Sequence, residues 1–145
     1  MNRQKLSHNF FLDEFVTKRA YLTFGSRANL LFDPRLVEIS QFIRNRLGSA
    51  VYLNNWYHGG PLQYRGWRPP FTTVGSKRSF HKLGRAIDMS SPKYSPKEIL
   101  EIVRRNEAKL MSLGLSRVEH IDHTPTWIHM DLAETGLDYI RVFKP

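Results

Sequence analysis

The sequence predicts an α+β domain: a small, mainly antiparallel sheet with flanking helices. Three observations carry this. Two segments, beginning at Asp33 and at Ser95, have both a helix start signal and a helix stop signal. Several short apolar stretches have the length and period of strands. Helices and strands also follow one another without regular βαβ alternation, which argues against a doubly wound parallel sheet. The 145 residues fit one domain over positions 1–145.

The elements are expected in this order. Ser7 to Arg19 reads as a short amphipathic helix, with Phe11, Leu12, Phe15 and Val16 on its apolar side. Residues 20–32 read as a loop. A helix then starts with Asp33 as N-cap and Pro34 in its first position, and stops at Gly48. Leu36, Ile39, Ile43 and Leu47 form its apolar stripe. Ala50 to Leu53 is a strand. Residues 54–80 form a long irregular stretch rich in glycine and proline, with Trp56, Tyr57, Tyr64, Trp67 and Phe71 interleaved. Such a stretch is usually functional or mobile. Arg85 to Met89 is a strand. Ser95 and Glu98 then form a capping box around Pro96, opening a helix with Ile99, Ile102, Val103 and Leu110 inward and Gly114 at its end. Three strands follow: Ser116 to Ile121, Thr126 to Leu132 and Tyr139 to Phe143.

Composition narrows the function classes. The chain has no cysteine, which excludes disulfides, a thiol nucleophile and thiolate metal sites. Any metal site must use histidine and carboxylate. Lys plus Arg is 22 against 13 for Asp plus Glu, a net charge of +9. That favours acidic partners. The basic residues are spread along the chain, so a solvated basic surface is expected and a nucleic-acid groove is not. The apolar runs are far shorter than the roughly 20 residues of a membrane span, and no membrane partner is expected. Met1 to Leu12 lacks an apolar core, so no secretory signal peptide is expected there.

Two segments carry the chemistry: Ser79-Phe80-His81-Lys82-Leu83-Gly84-Arg85-Ala86-Ile87-Asp88, and Thr126-Trp127-Ile128-His129-Met130-Asp131. Strand side chains alternate, so Ala86 and Asp88 share one face while Ile87 and Met89 face apolar packing. A carboxylate between two apolar residues on a buried strand needs a partner. Gly84 lets the chain turn so that His81 reaches Asp88. Trp127, His129 and Asp131 share a face of their own strand. If the two strands pair, His129 meets His81 and Asp88. Two histidines and one carboxylate leave a fourth position open, the pattern of a catalytic zinc site. Taken singly, each residue also fits a plainer role. A strand histidine can be a hydrogen-bonded core residue, Asp88 can pair with Arg85 or Lys82, and Asp131 with a nearby arginine.

At these residues the sequence resembles the zinc D-alanyl-D-alanine carboxypeptidase and L-alanyl-D-glutamate endopeptidase family. That family includes phage and bacterial peptidoglycan peptidases and shares its fold with the Hedgehog signalling domain. Ser79, His81, Gly84, Ala86 and Asp88 match its first metal motif, and His129 matches its last zinc ligand. Gly66-Trp67-Arg68-Pro69 resembles its arginine motif, and Ser7 to Phe15 is similar to the opening of phage-type members. The resemblance implies Zn2+ as cofactor on His81, Asp88 and His129, and Arg68 as the group stabilising the carbonyl and the transition state. It implies hydrolysis of an amide in a peptidoglycan peptide, with phage virion proteins as further partners. Ser79 and Trp127 join Arg68 as expected substrate contacts. Many members place the catalytic acid three residues before the last ligand, where this chain has Thr126. Glu119 is the expected substitute, with Asp122, His123 and Asp131 behind it. The tetrahedral oxyanion would then be held by Arg68 and the ion. The departure at Thr126 also leaves open a non-catalytic, zinc-stabilised structural or binding module. The cleft wall is assigned to Trp56, Tyr57, Tyr64 and Trp67, with ordinary packing as the alternative. His58, His120 and His123 read as surface or supporting groups.

Overall fold

Each helix sits where a side chain or a glycine ends the backbone's hydrogen-bonding problem. In a computed structural model, which describes residues 3–145, Thr17 caps α1 (Lys18–Phe24) by accepting the Ala20 N–H at 3.1 Å. The expected helix over Ser7 to Arg19 is therefore displaced toward the C-terminus. Of its expected apolar side, Leu12, Phe15 and Val16 are buried around a single 3-10 turn, Leu12–Glu14, while Phe11 is only half-buried and Phe10 is buried in its place. Residues 20–32 are not a loop: α1 runs into a 3-10 segment, Gly25–Leu31. Met1 and Asn2 of the N-terminal segment lie outside the described residues.

Helix α2 (Arg35–Leu47) starts where the sequence places it. The Asp33 carboxylate accepts the Arg35 N–H at 2.9 Å, and Gly48 ends the helix in the left-handed conformation at φ 62°. Leu36, Ile39 and Ile43 are fully buried. The Ser95–Glu98 capping box opens α3 (Pro96–Arg105). The single helix expected up to Gly114 is broken at Asn106, whose side chain bonds back to the Ile102 carbonyl at 2.8 Å. A short α4 (Glu107–Ser112) follows. Side-chain bonding to the preceding turn competes with the helical ladder, which accounts for the break.

The strands are β1 (Ala86–Met89), β2 (Arg117–Glu119), β3 (Ile128–Asp131) and β4 (Arg141–Phe143), ordered β1-β3-β2-β4 in one sheet. β3 is antiparallel to both β1 and β2. β4 runs parallel to β2, so the sheet is mixed, with two antiparallel pairings and one parallel. Ala50 to Leu53 contributes only an isolated bridge, Tyr52 to Ser90. Ile87, Met89, Ile128 and Met130 point to one side and are fully buried with Ile39, Ile43, Ile99 and Leu110. Each such side chain contributes about 1.5–3 kcal/mol by leaving water. The opposite side of the same strands carries the polar residues. Among the described residues no helix is long and apolar enough to cross a membrane.

Candidate metal centre

The register of β1 and β3 places Asp88 directly opposite His129 and Ala86 opposite Asp131. Cross-strand partners share a face, so both acids and His129 project to the same side. Small Ala86 leaves room there. His81 arrives from a 3-10 turn, Phe80–Leu83, that packs beside β1. Ser79 opens this turn by accepting the His81 N–H at 3.2 Å, and Gly84 closes it at φ 66°. A Cβ on Gly84 would lie 2.1 Å from the Leu31 carbonyl oxygen, so only glycine permits this return of the chain.

These elements bring three ligand atoms together. His81 Nε2 lies 3.2 Å from Asp88 Oδ1 and 3.2 Å from His129 Nδ1, and His129 Nδ1 lies 3.0 Å from Asp88 Oδ1. All three residues are buried. An ion with ligand distances of about 2.0–2.2 Å and tetrahedral angles separates its ligand atoms by roughly 3.3–3.6 Å. The observed triangle reaches that with shifts of a few tenths of an ångström. The group can hold a metal ion.

The outer contacts turn each ring the right way. His81 Nδ1 donates to the Gly66 carbonyl at 2.8 Å, which leaves the Nε2 lone pair for an ion. His129 Nε2 donates to Asp131 Oδ2 at 3.0 Å, which leaves Nδ1 free. Asp131 is gripped in turn by Arg117 through two bonds of 2.9 and 2.8 Å. Asp88 Oδ2 meets Arg68 Nη2 at 3.1 Å. The pairing partners are thus Arg68 and Arg117. Arg85, one expected partner of Asp88, instead donates to the Leu132 carbonyl.

Electrostatics follow from this packing. Burial alone would raise the Asp88 carboxyl. The His81 charge and the hydrogen bonds from His129 and His81 outweigh it and hold the group well below the usual carboxylate range. Burial would lower His129, but its bonds to Asp131 and Asp88 prevail and raise it to about 9. For Asp131, burial is likewise overcome by the His129 and Arg117 bonds, and its pKa falls. Asp88 and Asp131 thus stabilise positive charge on the His129 ring between them.

The three residues lie in the wall of a cavity of ≈ 610 Å³ that Arg68, Ser79, Glu119, Trp127 and Asp131 also line. Glu119 follows Val118 on β2, and the β2–β3 register carried one step further sets it opposite His129. Its charge is felt at Arg68. Asp122 and His123 are exposed and belong to a turn outside this cavity. His120 lines a separate recess with Asp122. Asp131 is occupied with His129 and Arg117. Thr126 is exposed, and its carbonyl accepts the Ser90 hydroxyl at 2.9 Å. Trp56 and Trp67 pack against the core, and Tyr57 stacks edge-on to Trp56. Ordinary packing thus accounts for these three aromatic residues. Tyr64 alone borders the site, in a smaller recess beside Trp127.

Three contributors were not foreseen: the Gly66 carbonyl, Arg117 and Phe143. The Phe143 ring stands edge-on to His129 at 5.9 Å, with the Arg117 guanidinium 4.0 Å above it. All three depend on strand pairing and loop docking, which leave no local pattern in the sequence. No family model, no curated protein and no solved structure matches the chain.

Proposed function

We infer that the chain is a zinc-dependent peptidase hydrolysing an amide bond in peptidoglycan stem peptides or crosslinks, on a fold of the Hedgehog/DD-peptidase type. The observation that carries this reading is the His81–Asp88–His129 triangle at an open cavity with Glu119 on the wall. Imidazole and carboxylate donors suit zinc, and three protein ligands leave a position for substrate. His81, Asp88 and His129 would hold the ion, which would supply Lewis-acid chemistry for the carbonyl and the water.

The chain's own residues do the rest. Glu119 accepts a proton from the attacking water and delivers it to the leaving amine nitrogen. Arg68 is anchored by the Tyr64 carbonyl at 2.7 Å and by Asp88, and turns a guanidinium toward the carbonyl oxygen as it gains charge. Ser79 and Trp127 line the cavity and orient the peptide. The basic surface suits an anionic wall polymer.

The test is release of new amine from purified peptidoglycan by protein loaded with stoichiometric zinc, over a broad pH range. No release would refute the peptidase. A second reading, a non-catalytic zinc-stabilised module, is favoured by exposed Thr126 where related motifs carry an acid. Glu119→Gln separates the two. Full zinc occupancy with lost hydrolysis supports the enzyme, whereas a variant indistinguishable from wild type supports the module.

A further inference from the structure

Arg65 is a half-buried arginine close to the centre, in contact with Ser90 and Trp127. Arg68 and Arg117 are each paired with a carboxylate, Asp88 and Asp131. Among the described residues Arg65 forms no salt bridge. Its guanidinium is half-buried and donates through Nη1 to the Ser90 hydroxyl, which itself donates to the Thr126 carbonyl. It also lies 5.9 Å from the centre of the Trp127 ring.

The backbone of Arg65 is held on both sides. Its N–H donates to Asn54 Oδ1 at 2.9 Å, and its carbonyl accepts the Asp88 N–H at 2.8 Å. Arg65 is therefore tied directly to the strand that bears a metal ligand. Above it lies a recess of ≈ 200 Å³, lined by Leu62, Tyr64 and Arg65 and sharing Arg68, Asp88 and Trp127 with the larger cavity.

A guanidinium fixed by a hydroxyl and an aromatic face presents its remaining N–H groups as a planar fork. That fork matches a carboxylate in two-point geometry. The recess of ≈ 200 Å³ has room for such a group. We propose that Arg65 is a specificity-determining residue that binds a free carboxylate of the substrate peptide, on the Trp127 side of the scissile amide. The identity of the substrate as a peptide rests on the peptidase reading above; the carboxylate preference rests on Arg65, Ser90 and Trp127.

The experiment compares two synthetic stem peptides that differ only in whether the carboxylate beside the scissile amide is free or amidated. Zinc-loaded wild type is expected to prefer the free acid in kcat/KM by about 10–100-fold, the range for one charge-assisted hydrogen-bonded pair. In Arg65→Gln, which retains a donor for Ser90, the preference falls to about one. Arg65→Lys, which keeps the charge, recovers part of it. Zinc stoichiometry and the thermal midpoint of each variant show that the fold is intact. Equal kcat/KM for both peptides in wild type, or an undiminished preference in Arg65→Gln, would overturn the proposal. Equilibrium binding of both peptides to the zinc-loaded Glu119→Gln variant, with and without Arg65→Gln, reads the same ratio without turnover. A preserved binding ratio in a protein that cuts neither peptide would sink the peptidase and leave Arg65 standing. Cleavage without any acid preference would do the reverse.

Discussion

His129 and Asp131, two residues apart on β3, share one hydrogen bond of 3.0 Å that decides which imidazole nitrogen faces the metal ligands. The carboxylate takes Nε2–H, so Nδ1 is the nitrogen beside Asp88 and His81, and its lone pair is the one that would face an ion. Asp131→Asn keeps the shape but can turn its amide NH2 toward Nε2 and weakens the grip of Arg117. Loss of such an outer contact typically costs 10–100-fold in metal affinity. That drop, measured by zinc competition against a chromophoric chelator, is the expected outcome. Unchanged affinity would show that packing against Phe143 alone orients the ring.

The ligands themselves should link metal to stability. An ion that binds only the folded chain stabilises it by about 4 kcal/mol at a thousandfold excess over Kd. For a chain of this length that raises the thermal midpoint by roughly 8–16 °C. The midpoint is expected to rise with zinc in wild type and to fall back on chelation. His81→Ala, Asp88→Ala and His129→Ala should each abolish the rise. A zinc response that survives all three substitutions would place the ion elsewhere.

The reach of the sequence is clearest at these same residues. Alternation along 86–89 and 127–131 predicts that Asp88 and His129 lie on one face of their strands, and the paired register bears this out. Capping signals at Asp33 and Ser95 are likewise realised, because a cap is chemistry between neighbours along the chain. The parallel β2–β4 pairing was not legible, since strand direction depends on how residues 132–140 travel and not on either strand's composition. The first helix was misplaced for a related reason. Leu12, Phe15 and Val16, with Phe10 rather than Phe11, are apolar because the core closes over them, not because they form one helical stripe. The Gly66 carbonyl is a backbone group, and side-chain patterns say nothing of where it points.

Gly66 links that N-terminal segment to the metal centre. A Cβ built on it would lie 2.3 Å from the Phe15 carbonyl oxygen, which accepts the Trp67 N–H at 2.8 Å. The constraint is space against a backbone. Gly66→Ala must therefore move the 65–68 segment, and with it the acceptor for His81 Nδ1 and the base of Arg68. A destabilisation of about 1–3 kcal/mol is expected in urea unfolding. Weaker zinc binding should accompany it. Destabilisation with wild-type zinc affinity would mean that His81 keeps its orientation without Gly66.

Glu14 gives stability a pH dependence of its own. Burial raises its carboxyl to about 7 from 4.5, against the Phe11 N–H that donates to Oε2 at 2.9 Å, with the Asp13 charge adding to the rise and Arg3 opposing it. Below about pH 4.5 the group is neutral in both folded and unfolded chains, and its full contribution to stability is present. As pH rises toward 7 the unfolded chain loses the proton first, so this contribution is lost and is gone above the folded value. At roughly 1.4 kcal/mol per pKa unit the loss is on the order of 1–3 kcal/mol. Glu14→Gln stays neutral throughout and still offers an oxygen to Phe11. The variant is expected to match wild type in urea unfolding at pH 4 and to exceed it by about 1–3 kcal/mol at pH 8. A difference between the two proteins that is the same at both pH values would show that the Glu14 carboxylate is ionised in the folded state without penalty.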